Sequence, residues 1–431
     1  MAVSPNAGRR IELVVEDMGY FWLSLDRAVG APNVRLADLV RLHERLDAYA
    51  DLLRLSGDLG WQFAVEALEA HTAGAVFPAT CLALASGDVE RLAIVFGDAG
   101  LGGAGQRDAG DVRANTACVI SALALAERAS AVTMINHLRI SEEPFLRAVA
   151  IAALGTRRVD LGPVLASALT DPSPYVRARA CRTIGQLGRA DLMAQLRPVL
   201  TDPDPECRFW SGWAAARMGA TEPLDTLADI AWNNLPRADR ALDLVIRRLD
   251  VPQANAWLRD FAKLPDRQRS VMRATGVIGD PRYVPWLIER MADPATARLA
   301  GESFSMITGL DLAYRDLDRR PPADFQSGPN DDPADENVAL DEDENLPWPD
   351  PARIGAWWTA NRSRFATGTA YFLGTPKASA DWLEALSDAF QRQRHAAALE
   401  LAIRQPDKAM FEVRARGRLQ RQLIARARGL A

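Results

Sequence analysis

Eight carboxylates crowd one stretch of the chain. Asp331, Asp332, Asp335, Glu336, Asp341, Glu342, Asp343 and Glu344 fall in a run that contains no Lys or Arg. Calcium binding is the first chemistry to test, because Asp341, Asp343 and Asn345 alternate as in a calcium loop. The sixth position, however, is Leu346 where the tight turn needs Gly, and the twelfth is Ala352 where a bidentate Glu belongs. Two readings remain. The run is a loop, solvated or neutralised by the protein's own arginines, or it is a partner-binding string that enters a basic groove by imitating a nucleic-acid backbone. Its counterpart lies at the other charge extreme. Arg414, Arg416, Arg418, Arg421, Arg426 and Arg428 make the C-terminal stretch strongly basic, with no acidic residue among them. No aromatic residue follows Phe411 to stack on bases, so an amphipathic terminal helix with Leu419, Leu423 and Ile424 turned inward is expected instead of a nucleic-acid patch. Pairing of the basic tail with the acidic run is a further possibility.

Catalytic constellations are missing from the sequence. His43, His71, His137 and His395 have no metal-ligand spacing, and there is neither a G-x-S-x-G elbow nor an HExxH. Gly100 to Gly105 matches G-x-G-x-x-G by letter, but it falls where the second helix of a repeat belongs and more Gly and Asp follow, so a loop is expected. Cys81, Cys118, Cys181 and Cys207 are widely spaced and form no CxxC, which reads as reduced, mostly buried thiols. No cofactor, metal or small-molecule substrate is expected, and the protein is read as non-enzymatic.

The elements that must carry these residues are repetitive. FLRAVAIAALG from Phe145, YVRARACRTIG from Tyr175 and ECRFWSGWAAARMG from Glu206 align, and Arg147, Arg177 and Arg208 recur at the same place in each. The step is roughly 30 residues, within the range of helical-repeat arrays. Gly155 and Gly185 repeat the same step, and Asp171-Pro172, Asp202-Pro203 and Asp293-Pro294 recur ahead of the arginines, the last shortly before Arg298. Asp is expected to cap the first helix of each repeat with Pro at its first position. Small residues such as Ala150 and Ala180 let neighbouring helices approach, and VLASAL or LMAQLRPVL supplies a second helix. One such pair cannot bury its apolar stripe alone, so pairs must stack, as in HEAT repeats. The arginines are expected to form a ladder with the Asp of the neighbouring repeat. GDPRYVPWLIERM from Gly279 is a further repeat, and Trp286, on its second helix, is the candidate aromatic anchor for a partner.

The expected fold is therefore mainly α: a HEAT-like helical-repeat solenoid over 74–312, preceded by an N-terminal helical cap over 1–73. In that cap Leu36, Leu39, Leu42, Leu46, Tyr49 and Leu53 recur at helical spacing. An acidic, Pro-rich connection spans 313–352 and a small basic module 353–431, in which YFLG and MFEVRA suggest a short β element. The 431 residues carry a net charge of −5, divided as +7 from Arg362 onward and −12 before it, which argues against a general nucleic-acid binder. No apolar run is long enough for a secretory signal or a membrane span, so a cytoplasmic location is expected.

The non-repetitive segments resemble a family of HEAT-repeat proteins from Proteobacteria typically encoded near type VI secretion components. The residues that carry the resemblance are RLADLVRLHERLDAYADLLRLSGDLGW from Arg35, ITGLDLAYRDLD from Ile307, DEDENLPWPDP from Asp341, YFLG from Tyr371 and MFEVRARG from Met410. The resemblance implies a cytoplasmic accessory of an effector-delivery system. Its partner would be a secreted toxin or a spike-tip protein, and its role that of an immunity protein, adaptor or chaperone. Two other classes stay open: a lyase-type enzyme, because GDPRYVPWLIERM also resembles repeats of HEAT-like bilin lyases, and a structural subunit of the secretion machine.

Overall fold

A computed structural model of the chain describes residues 5–98, 109–160, 162–323, 325, 328 and 341–430. The G-x-G-x-x-G match at Gly100 to Gly105 and the carboxylates Asp331, Asp332, Asp335 and Glu336 lie outside them. The fold is mainly α. Helices α1 (Pro5–Ala28), α2 (Leu36–Leu55) and α3 (Gly57–Ala67) come first. A longer and a shorter helix then alternate along the chain: α4 (Ala73–Ser86) and α5 (Val89–Asp98), α6 (Ala109–Leu125) and α7 (Arg128–Leu138), α8 (Pro144–Arg157) and α9 (Pro163–Ala168). The pattern continues through α10 (Pro174–Leu187), α11 (Met193–Leu196), α12 (Pro205–Arg217) and α13 (Leu224–Trp232). It is interrupted at α14 (Ala238–Arg248) and α15 (Val251–Phe261), which are equal in length, and resumes with α16 (Gln268–Ile278), α17 (Val284–Arg290) and α18 (Ala297–Thr308). Last come α19 (Pro351–Asn361), the strands β1 (Tyr371–Phe372) and β2 (Thr375–Pro376), and α20 (Trp382–Asp388), α21 (Gln391–Arg404) and α22 (Gly417–Ala427).

The chain divides into two compact units. Unit 1 joins Met1–Pro223 to Leu383–Ala431, and unit 2 is Leu224–Trp382. The composition changes at 73, 312 and 352 are thus not where the compact units part. In unit 1 the longer helices α4, α6, α8, α10 and α12 pack each on the next, and in unit 2 α14, α16 and α18 do the same. The apolar stripes face inward as their spacing dictates. Met18, Trp22 and Leu25 of α1 and Leu39, Leu46 and Leu53 of α2 join Phe77, Val119 and Val149 in one core. Ala150 and Ala180 are fully buried. A Cβ on Gly185 would stand 2.8 Å from Ala214 of α12, so the glycine that recurs with the repeat is where neighbouring helices touch.

Three local expectations are corrected. The Asp of the repeat turns Asp171-Pro172, Asp202-Pro203 and Asp293-Pro294 is not the helix cap. Ser173 and Asp204 hold that position with Pro174 and Pro205 at the first turn, while Asp171 Oδ1 and Asp202 Oδ1 accept the N–H groups of Ser173 and Asp204 at 2.9 Å. MFEVRA is not a strand; the one sheet among the described residues is the antiparallel β1–β2 pair. On α22, Ile424 is buried but Leu419 and Leu423 are 44% and 39% exposed, because Gln420 and Ile424 face inward and the two leucines lie to one side. The connection's end follows its sequence closely: Asp350 caps α19 by accepting from Ala352 N and Arg353 N, with Pro351 at the first position.

Candidate functional site

Three constructions hold the repeats and define the accessible surface. The first is the arginine ladder. Arg147 Nε and Nη2 donate to Asp171 at 2.9 Å, and its Nη1 donates to the carbonyls of Ser141 and Glu142. One repeat on, Arg177 grips Asp202 at 2.8 and 3.0 Å and the carbonyls of Asp171 and Pro172. Each guanidinium therefore closes its own repeat's turn and reaches the next one through a two-pronged pair. The Arg177 hydrogen bonds hold the Asp202 carboxyl below its usual range against the opposing effect of burial. At Asp171 burial pushes upward, but Arg147 and the Ser173 N–H prevail and the net shift is downward.

The second construction is the end of the acidic run. At the ladder position of α18, Arg298 finds Asp341 at 2.7 Å in place of a further repeat's Asp, and its guanidinium lies 4.8 and 4.9 Å from the rings of Trp348 and Phe325. Arg269 holds Asp343 at 2.7 and 2.9 Å, and Arg273 reaches Glu342 at 2.7 Å. Asp343 is buried, Glu342 is exposed although paired, and Glu344 is exposed. The hydrogen bond from Arg273 holds Glu342 below its ordinary value. Trp286, on α17, is half-buried and packs against the apolar core of unit 2, whose other partly buried members include Tyr283, Trp357 and Trp358.

The third construction was illegible in the sequence. Helices end with four carbonyls that lack intrahelical donors. In unit 1 the chain returns after α21 and lays residues 405–416 across the C-termini of successive first helices. Arg217, at the end of α12, donates to the carbonyls of Pro406 (2.7 Å) and Lys408. Met410 N donates to Gln186 O near the end of α10 at 2.8 Å. Arg158, just after α8, donates to Met410 O at 2.6 Å and pairs with Glu412 at 3.1 Å. Arg416 donates to Leu125 O, the end of α6, and to Asp47 of α2. A strap of this length reaches at most about 40–43 Å, enough for three interhelical steps of about 8–10 Å.

The basic tail thus meets the N-terminal helices: Arg414 pairs with Asp26 and Arg418 with Glu44. The buried Arg394 further joins α21 to α22 through Gln391 and Gln420, and Gln391 N donates to Val34 O. In unit 2 the β1–β2 hairpin has the same task. Tyr371 N donates to Gly279 O, Leu373 N to Met306 O and Gly374 N to Ile307 O at 2.8–3.0 Å, covering the ends of α16 and α18.

Titratable groups of these units are tuned for burial. Burial pushes the thiols of Cys81 and Cys207 up to about 12 and that of Cys118 well above its usual value, so little thiolate forms. Burial also lowers His43 and His395; His43 Nδ1 lies 2.7 Å from Leu39 O and His395 Nε2 3.2 Å from Val29 O. No group of three or more His, Cys, Asp or Glu suited to a metal ion occurs among the described residues. No helix among them is long and apolar enough to cross a membrane.

Sequence reasoning named the ladder but missed Arg158, Arg217 and the glycines Gly188 and Gly279. The glycines carried a signal: each follows the last periodic residue of a first helix, where a left-handed cap is expected.

Residues 162–243 match the family model of HEAT repeats. The match covers the stretch containing Arg177, Asp202 and α10 to α12, and the class the fold defines is a mainly α, HEAT-like helical-repeat fold. No curated protein matches the chain.

Proposed function

We propose that the protein is a non-enzymatic, protein-binding scaffold acting in the cytoplasm as an accessory of a type VI secretion system. Its partner is a secreted effector or a spike-tip protein, which it holds as an immunity protein or as an adaptor. The observation that carries the scaffold reading is the two-pronged ladder from Arg147 and Arg177 to the Asp of the following repeat, whose second rung, Arg177 to Asp202, lies within the residues that match HEAT repeats. Such coupling sets the register of successive repeats, and stacked repeats present an extended surface suited to a folded partner. The secretion context rests on the resemblance of the non-repetitive segments, and the partner-binding role of the acidic run on its charge. Within that role the exposed carboxylates in the described part are Glu344 and Glu342, the latter already engaged by Arg273 and Arg269, and Trp286 is the aromatic anchor to test beside them.

The test is co-purification of the tagged protein with the products of its neighbouring genes. A stoichiometric complex with an effector or spike protein is expected, weakened when Glu342 and Glu344 are both replaced by Lys. A chain that stays free in the presence of every such product overturns the proposal.

A further inference from the structure

The return segment of unit 1 is held in an unusual way. Over Gln405–Met410 its main chain is read while most of its side chains are exposed. The carbonyls of Pro406, Lys408 and Met410 and the N–H of Met410 all bond to the edge formed by α8, α10 and α12. The side chains of Gln405, Asp407, Lys408 and Ala409 are exposed. Glu412 alone in this stretch makes a side-chain ion pair with the edge, to Arg158. Backbone recognition of this kind accepts many sequences, as when a peptide adds to a sheet edge.

The edge also offers more than its occupant uses. Arg217 is fully buried, and its hydrogen bonds go to two main-chain oxygens. Its Nε has no hydrogen-bond partner and no carboxylate pairs with it among the described residues. A buried guanidinium without a directly paired carboxylate is a costly arrangement; burial and the neighbouring Arg158 push Arg217 down to about 10 against the weaker attraction of Asp407. Gly188 completes the channel. It adopts φ +67°, and a Cβ there would collide with the Lys408 carbonyl.

We propose that the row of first-helix C-termini from α8 to α12 is a binding site for an extended polypeptide segment bearing carboxylate side chains, and that residues 405–416 are its resident occupant in cis. A partner segment with one carboxylate at the Glu412 position and a second hydrogen-bonded to Arg217 supplies the direct pair that the resident's Asp407, which attracts Arg217 only from a distance, does not make. Such a segment displaces the strap by competition, against the high effective concentration that tethering gives the resident. This inference rests on the scaffold reading and names one surface for it, an arginine-lined edge that takes an extended acidic strand.

The experiment uses the full-length chain with Ala409→Cys carrying a fluorophore. Ala409 is exposed, while three native cysteines are buried and the Cys81 thiol is pushed up to about 12, so the label goes to one site. Three synthetic peptides are titrated: the sequence of residues 405–416, the same with Lys408→Glu, and the same with Glu412→Arg. A saturable release signal is expected, about tenfold tighter for the Lys408→Glu peptide and about tenfold weaker for the Glu412→Arg peptide than for the parent. In the full-length Glu412→Ala chain, whose resident strap has lost its ion pair, every peptide is expected to bind more tightly. Absence of a signal up to about 1 mM peptide in both chains overturns the proposal, as does binding that is indifferent to peptide charge. If Glu412→Ala fails to fold, the titration of the otherwise native chain decides alone. Failure here with an intact co-purified complex sinks the edge and leaves the scaffold; failure of both removes the scaffold reading too.

Discussion

Arg177 shows how one side chain couples two repeats. Its guanidinium and Asp202 are 16% and 9% exposed, so the pair is mostly withdrawn from water, and removing one partner strands the other. Arg177→Ala is expected to cost about 2–4 kcal/mol, between the loss of a buried hydrogen bond and a broken buried pair, read as a lower denaturation midpoint. The Asp202 carboxyl is depressed in the fold, first by the Arg177 hydrogen bonds. A depressed acid stabilises the fold fully above its unfolded value of about 3.9, and that contribution is lost as pH falls through the lower folded value. Wild-type stability should therefore drop as pH is taken below about 4, and Asp202→Asn should start less stable and show a shallower drop. Equal slopes in the two proteins would refute the assignment. The ladder's existence was legible because Arg147 and Arg177 recur with the repeat. The partner of Arg298 was not, because Asp341 belongs to a non-repetitive segment that takes over the place of a missing repeat.

The first helices were readable from their helical apolar stripes, and the breaks in the second helices have a visible cause. Between Ala190 and Thr201 the second helix splits into a 3-10 turn, the short α11 and another 3-10 turn, with Pro198 withholding an N–H. Helix ends were harder to read, since what meets their carbonyls comes from far along the chain. Gly279 is the clearest case: it caps α16 at φ +78°, and its missing side chain lets the Tyr371 backbone bond to its carbonyl. Gly279→Ala combines a left-handed alanine with a backbone collision and is expected to destabilise unit 2 by about 2–4 kcal/mol. Gly87→Ala has the same handedness, φ +68°, with open space around it, and should cost about 1 kcal/mol. Thermal melts of the two variants separate close contact from conformation; equal losses would mean that the hairpin's approach contributes nothing.

Unit 1 is discontinuous, and its last segment, Leu383–Ala431, completes what Met1–Pro223 begins. Deletion of Leu383–Ala431 strips Arg217 of its partners, takes Met410 and Glu412 from Arg158, Met410 from Gln186 of α10 and Arg416 from Leu125 of α6, and removes the contacts of α21 with Val29 and Val34. Hydrogen exchange should show protection in α1, α2 and α6 to α12 falling about a hundredfold, close to 2.8 kcal/mol. Helices α16 and α18 should keep theirs, because the hairpin that covers them ends at Pro376. Unchanged protection in α8 and α10 would show that the strap is passive. By itself the sequence determined the helices, their stacking repeat and the Arg147 and Arg177 rungs of the ladder, because each is written in local, periodic side-chain types. Among the described residues Arg208, expected as a further rung, holds only the carbonyls of Asp202 and Pro203. Only the tertiary structure decided that the C-terminal chain returns to the array. Those hydrogen bonds join positions far apart in the chain, Arg158 to Met410 among them, and run largely through main-chain atoms, which every residue type carries and which leave no mark on the sequence.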